Sequence, residues 1–295
     1  MRESIRLIMA AVLAAMLAKP AIAADPNPGA ELTAAQIIEK NVAARGGLEA
    51  WRRIQTMVWV GHMETAETQG PSMAFSLQQK RPNKTRFEVL AMNQKSTRIF
   101  DGAHGWKVHP AADGRPQMQS YTPQELKFAR QAQGIDGPLI DYAAKGNTVT
   151  LQGTEEIEGR KAYRLSVRLA SGERNDVWVD ARTFLDIRLD RTSFNPAGAP
   201  GTVTVFYRDY RDIEGLQFPS RIEVGAGSAR VPDKMVIEKI ALNPPLQDGA
   251  FAKPQVPGRR NLVTIDAEPM SAADRMRHPA PVKASPGQDP GSAPQ

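Results

Sequence analysis

The strongest constraint on this chain is the run from Gly159 to Leu189, GRKAYRLSVRLASGERNDVWVDARTFLDIRL, where apolar and polar residues alternate. Lys161, Tyr163, Leu165, Val167 and Leu169 fall on one side, and Ala162, Arg164, Ser166 and Arg168 on the other. A period of two is the signature of a half-buried antiparallel strand. Ser171-Gly172 turns the chain, Val177 and Val179 continue on a second strand, and a third sets Leu185, Ile187 and Leu189 against Asp186, Arg188 and Asp190. Such a meander has one apolar face and no catalytic residue. It predicts a curved sheet around a greasy interior.

The same period recurs through most of the chain. Met57, Trp59, Gly61 and Met63 share a face, as do Met73, Phe75 and Leu77, and then Phe87, Val89 and Ala91. Short strands at Ser96 to Phe100 and Trp106 to His109 follow, and later ones at Thr148 to Gly153, Thr202 to Tyr210, Phe218 to Val224 and Lys234 to Leu242. About ten or eleven amphipathic strands are more than an open twisted sheet holds without curling. Two helices interrupt the pattern. Thr33-Ala-Ala-Gln36 is a capping box that opens one, stopped by Gly46-Gly47, with a short turn from Leu48 to Ile54 behind it. Thr122-Pro123 opens the other, through Leu126 and Phe128. The next stretch, Gly137-Pro138-Leu139-Ile140-Asp141-Tyr142, has a Gly-Pro unsuited to a strand, yet it is too apolar for a solvated loop. It reads as a segment laid across something greasy.

The ends of the chain read differently. Arg2 and Arg6 precede an apolar run from Leu7 to Ala18 that closes near Ala21-Ile22-Ala23, the pattern of a cleaved secretory signal over residues 1–23. The run is shorter than the roughly 20 residues that span a bilayer, and no later segment could span one. The expected product is a periplasmic monomer with a domain over 24–253 and a Pro-, Ala- and Gly-rich, largely disordered tail over 254–295. Cysteine is absent, which excludes disulfides, thiolate metal sites and a cysteine nucleophile. The net charge of +6 is spread without a run of five like charges, so nucleic acid is not an expected partner.

Catalytic chemistry is not spelled out. His62, His104, His109 and His278 lack the spacing of a metal site, and no nucleophile elbow, Walker loop or dinucleotide fingerprint is present. Neither a metal nor a cofactor is expected. Asp141, Asp209 and Asp212 could pair in space, but turn or surface roles suit them better.

One resemblance spans Leu32 to Phe251. Gly46-Gly47-Leu48, then Asp101-Gly102 with Gly105-Trp106, then Gly137 to Tyr142 with Lys145-Gly146, then Tyr207, Asp209-Tyr210-Arg211 and Gly215-Leu216 with Phe218-Pro219 stand in order. Together they resemble the LolA-like outer-membrane lipoprotein-sorting proteins. The resemblance implies a mainly β (α+β) fold, a half-open antiparallel β-barrel of about eleven strands with helices covering its concave face. It also implies non-enzymatic binding or carriage of an acyl lipid or lipoprotein in an apolar hollow; relatives of that kind instead regulate an envelope protein partner. No residue here corresponds to a dedicated carrier's functional arginine. Face parity then names Trp59, Phe75, Phe87, Leu165 and Val167 as the expected lining, and Leu126, Phe128, Leu139, Ile140 and Tyr142 as the expected lid.

Overall fold

The computed structural model describes residues 31–64, 72–131, 134–194, 200–226 and 233–256. The expected signal segment lies outside these residues, as does all but the start of the expected tail.

Thirteen strands form one antiparallel sheet. They are β1 (Thr56–Glu64), β2 (Met73–Lys80), β3 (Lys84–Ala91), β4 (Gln94–Phe100), β5 (Gly105–Pro110), β6 (Pro116–Ser120), β7 (Thr148–Ile157), β8 (Arg160–Arg168), β9 (Arg174–Asp180), β10 (Asp186–Phe194), β11 (Pro200–Ile213), β12 (Leu216–Ala226) and β13 (Asp233–Leu242). The order is β6-β5-β4-β3-β2-β1-β13-β12-β11-β10-β9-β8-β7, so the strands run as two meanders joined where β1 pairs with β13. The outermost strands, β6 and β7, do not pair with each other, and the sheet stays open.

Thirteen strands stand where about eleven were expected. The one that no expected strand covers is β6, PQMQS, which is nearly all exposed and begins with proline. It is a polar edge strand, and an edge that resists pairing with other chains is expected to lack an apolar row.

One face of the sheet carries the main core. Met57, Phe75, Leu165, Val167, Val177, Val179, Leu189, Val205, Ile222 and Ile240 all belong to a single buried cluster. Phe75 on β2 and Leu165 on β8 have six strands between them in the sheet order, so they share a cluster because the sheet curls toward this side. Irregularities in the pairing help it bend, at Val60/Gly61, Leu151/Gly153 and Asp186/Arg188. At Gly61 a Cβ would collide with the carbonyl oxygen of Val236, so β1 can approach β13 this closely only without a side chain.

Two helices, α1 (Ala34–Ala44) and α2 (Leu48–Arg53), enter the concave side first. The expected capping box is formed: Gln36 N donates to the Thr33 hydroxyl and Thr33 N to Gln36 Oε1, at 3.3 and 2.9 Å. Ile37, Ile38 and Trp51 are buried in the core. Helix α3 (Pro123–Gln131) has a second such box, with Glu125 N on the Thr122 hydroxyl and Thr122 N on the Glu125 carboxylate.

The convex side is not simply solvated, which corrects the expectation of a single apolar face. Ile157, Ala162, Trp178 and Ile187 form a second, smaller buried cluster against Phe206. Arg188 lies over Trp178 and Phe206, Arg164 over Trp178, and Arg208 over Phe206, with guanidinium carbons 4.4 to 5.7 Å from the ring centres. Farther along the same side, the chain after β13 lies against β2 and β3. Asp248 pairs with Lys80 and Lys84, Arg86 donates to the Ala250 carbonyl, and Phe251 is fully buried.

Candidate functional site

Most of the motif residues that carry the resemblance gather into one hub beneath α1 and α2; Asp101-Gly102 and Gly105-Trp106 instead shape the β4–β5 turn, where Asp101 accepts from Ala103 N and His104 N. The reason starts at Gly46, whose φ of 108° belongs to glycine and whose Cβ position is occupied by the Gly215 carbonyl and Leu216. The helix corner can therefore sit directly on the β11–β12 turn. The Arg45 carbonyl accepts from Gln217 N and from Trp51 Nε1, and Trp51 packs on Phe218 with ring centres 5.1 Å apart.

The Arg45 side chain turns inward. Its Nη1 donates to the Asp136 carbonyl at 3.2 Å and lies 3.4 Å from Asp186 Oδ2, with both side chains largely buried. Asn41 donates to the other Asp186 oxygen at 2.9 Å and to the Phe184 carbonyl. Burial pushes the Asp186 carboxyl above its ordinary value, and Arg45 and Asn41 only partly offset that. The same burial, with Asp186 nearby, raises the Tyr207 phenol to about 12.

A second layer ties down the segment after α3. Arg52 grips Asp141 through two 2.9 Å bonds and holds its carboxyl below the usual range. Arg81 and Lys145 both donate to Asp136, each at 2.6 Å, and Asn147 donates to the Pro138 carbonyl. Burial, together with the neighbouring arginines, lowers the Lys145 ammonium even beside Asp136. Asp141, Asp209 and Asp212 do not pair with one another. Asp141 serves Arg52, Asp209 serves Arg221, and Asp212 caps the turn at Gly215 N.

Anchored in this way, the 135–142 segment fills much of the concave side. Leu139 and Ile140 are fully buried in the same cluster as Phe75, Leu165 and Val167, with Trp59, Phe87 and Tyr142 packed against it. Phe75 and Phe87 lie 6.0 Å apart, and Trp59 meets Phe218 edge-on at 6.3 Å. The Trp59 indole N–H is buried and has no acceptor among the described residues. The lining and lid candidates are therefore in mutual contact here, except on α3, where Leu126 is half-buried and Phe128 is 42% exposed.

Two cavities flank the segment and share Leu169. The larger, of about 630 Å³, is bordered by Arg81, Arg130, Lys145, Asp136, Asn83 and Asn147. The smaller, of about 280 Å³, has walls that include Phe128, Pro138, Leu169, Leu189, Arg191 and Tyr207. Of the candidate residues, Phe128 borders this hollow. Sequence reading missed Arg191, although a signal existed: Arg191 has the same parity as Leu189 and continues its inward row.

No family model and no curated protein matches the chain. Solved structures do. A domain assigned to outer membrane lipoprotein sorting, from Vibrio parahaemolyticus, superposes with a TM-score of 0.50 at 10% identity, over 73% of this chain and 94% of that one. A LolA superfamily protein from Nitrosomonas europaea gives a TM-score of 0.49 at 16% identity, over 76% and 99%. A DUF1329 family protein from Desulfovibrio piger gives 0.49 at 13% identity, over 73% and 95%. At such identities the likeness is one of fold, and the superposition on the Vibrio domain agrees with the half-open antiparallel sheet that was expected. No helix among the described residues is long and apolar enough to cross a membrane.

Proposed function

We propose that the protein is a non-enzymatic binding protein of the cell envelope that takes the acyl chain of a lipid or lipoprotein against the concave face of its sheet. The observation that carries this reading is the hollow itself. An open, curled sheet presents an apolar wall, and the segment over that wall is a strap of turns rather than a further strand.

The energetics suit carriage. Burying an acyl chain is worth about 0.8 kcal/mol per methylene, so a long chain contributes roughly 10 kcal/mol gross. A membrane offers the same gain, and a carrier therefore needs a wall comparable to a bilayer together with a cover that moves. In this reading Trp59, Phe75, Phe87, Leu165 and Val167 are the wall. Leu139, Ile140 and Tyr142 are the cover that yields, with Leu126 and Phe128 at its edge. The leader at residues 1–23 would deliver the protein to the periplasm.

Native mass spectrometry of the protein purified without denaturation tests this reading. A co-purifying acylated species, or uptake of one on incubation, is the expected result, and an apo mass that takes up no lipid would overturn it. A second reading is favoured by the buried Leu139 and Ile140, which already occupy part of the wall. With the hollow self-filled, the same fold would serve an envelope protein partner, and crosslinking would recover that partner instead of a lipid.

A further inference from the structure

The smaller cavity contains a charge that the fold does not use. Arg191 stands on the inward face of β10, beside Leu189, with its guanidinium carbon 4.4 Å from the centre of the Phe128 ring. It has no carboxylate partner among the described residues. The carboxylate that borders the cavity, Glu173, pairs with Lys127 at 2.7 Å, and the other bordering arginine, Arg174, pairs with Asp176 at 3.1 Å. Burial lowers the Arg191 guanidinium from its ordinary value, yet an arginine keeps its proton at any physiological pH. The fold thus holds a cation in a poorly solvated place with no carboxylate opposite it among the described residues, an arrangement that costs stability unless an anion arrives.

The surroundings point to the kind of anion. Leu169, Leu189, Pro138 and Phe128 make one side of the same cavity apolar, a side that a small hydrated ion would leave unused. Tyr207 also borders it, and a phenol raised to about 12 stays protonated and can donate a hydrogen bond. Beyond Leu169 the larger cavity sets Arg81, Arg130 and Lys145 against the single carboxylate Asp136, which makes the approach positive.

We propose that Arg191 anchors the anionic head, phosphate or carboxylate, of an amphiphile whose hydrocarbon part lies along the Leu169, Leu189 and Phe128 side of the hollow. This rests on the reading of the concave face as an acyl-chain site and adds a charge requirement to it. A planar guanidinium can meet two head-group oxygens at once, and Phe128 stacked on its face fixes its orientation.

The test compares three probes on the purified, delipidated protein: tetradecyl phosphate, tetradecanol of the same chain length, and inorganic phosphate. The wild type should bind the alkyl phosphate roughly tenfold or more tighter than the alcohol, the scale of a charge-assisted hydrogen bond. Arg191→Gln should abolish that preference while leaving alcohol binding unchanged, and Arg191→Lys should restore part of it. Arg188→Gln removes a cation paired on the outer face of the same strand and should retain the preference, which separates loss of the anchor from a general loss of charge. Equal affinity for both lipids in the wild type, or an undiminished preference in Arg191→Gln, would overturn the proposal. Inorganic phosphate competing as well as the alkyl phosphate would make this a free-anion site and overturn the amphiphile. Failure of both lipids to bind is a different result, since it removes the acyl-chain reading itself.

Discussion

Two arginines three positions apart on β10 behave in opposite ways. Arg188 points outward, lies 2.5 Å from Asp190 and stacks on Trp178, in a row where Arg164 and Arg208 likewise hold carboxylates. Arg191 points inward, stacks on Phe128 and faces no carboxylate among the described residues. On the convex side each of these charges is matched and serves to knit strands together. On the concave side the matched charges include Arg45 with Asp186, and Arg81 and Lys145 with Asp136, while Arg191 beside the hollow has no carboxylate partner among the described residues. Charge is structural where it is balanced, and available for binding where it is not.

Mutations should separate the two faces by size of effect. Removing the hub cation with Arg45→Ala strands the buried Asp186 and should cost about 3–5 kcal/mol in denaturant unfolding. Asp186→Asn leaves Arg45 an amide oxygen, the Asp136 carbonyl and the Trp51 face, and should cost less; equal costs would mean that the ion pair itself holds the hub. Leu139→Ala, fully buried on the concave side, should lose about 2–5 kcal/mol by the same measurement. A smaller loss would indicate a loosely seated strap.

The faces should also answer pH with opposite signs. On the convex side, hydrogen bonds from Arg208 hold Glu158 low. Burial pushes Asp176 up, but Arg164 and Arg174 outweigh it and keep it low as well. Their contribution is present at neutral pH and is lost as pH falls from the unfolded value, about 4, through the depressed folded ones. Asp186 is raised, so its contribution is favourable in acid and is lost as pH rises through its folded value. Thermal midpoints of Asp176→Asn should therefore vary less with acidification than the wild type, and those of Asp186→Asn should fall more steeply. The smallest effect belongs to Arg191→Gln, which should leave stability within about 0.5 kcal/mol or raise it slightly, because no ion pair is lost. A large loss would show that Arg191 is structural after all.

Much of the fold could be read from the chain because strand burial writes itself as a period of two. Leu165 and Val167 on one side and Arg164 on the other needed no further information. What could not be read has physical reasons. The polar strand β6 has no buried side and hence no pattern. The irregularity between Asp186 and Arg188 puts Ile187 into the outer cluster although its parity matched Leu189. The hub joins Asn41 and Arg45 to Asp186 across 145 and 141 positions of sequence, a distance that no local spacing encodes. Its glycines were visible as motifs, but their task, letting the helix corner rest on the Gly215 turn, is a tertiary fact.

The closing stretch of chain after β13 has a practical consequence. Because Asp248 and Ala250 are held by Lys80, Lys84 and Arg86, whose parity on β2 and β3 is opposite to that of the inward Phe75 and Phe87, residues 248–251 lie on the side away from the hollow. A dye, a surface tether or a fused reporter attached there would leave the entrance unobstructed. The protein could thus be immobilised through that point and still be titrated with an amphiphile.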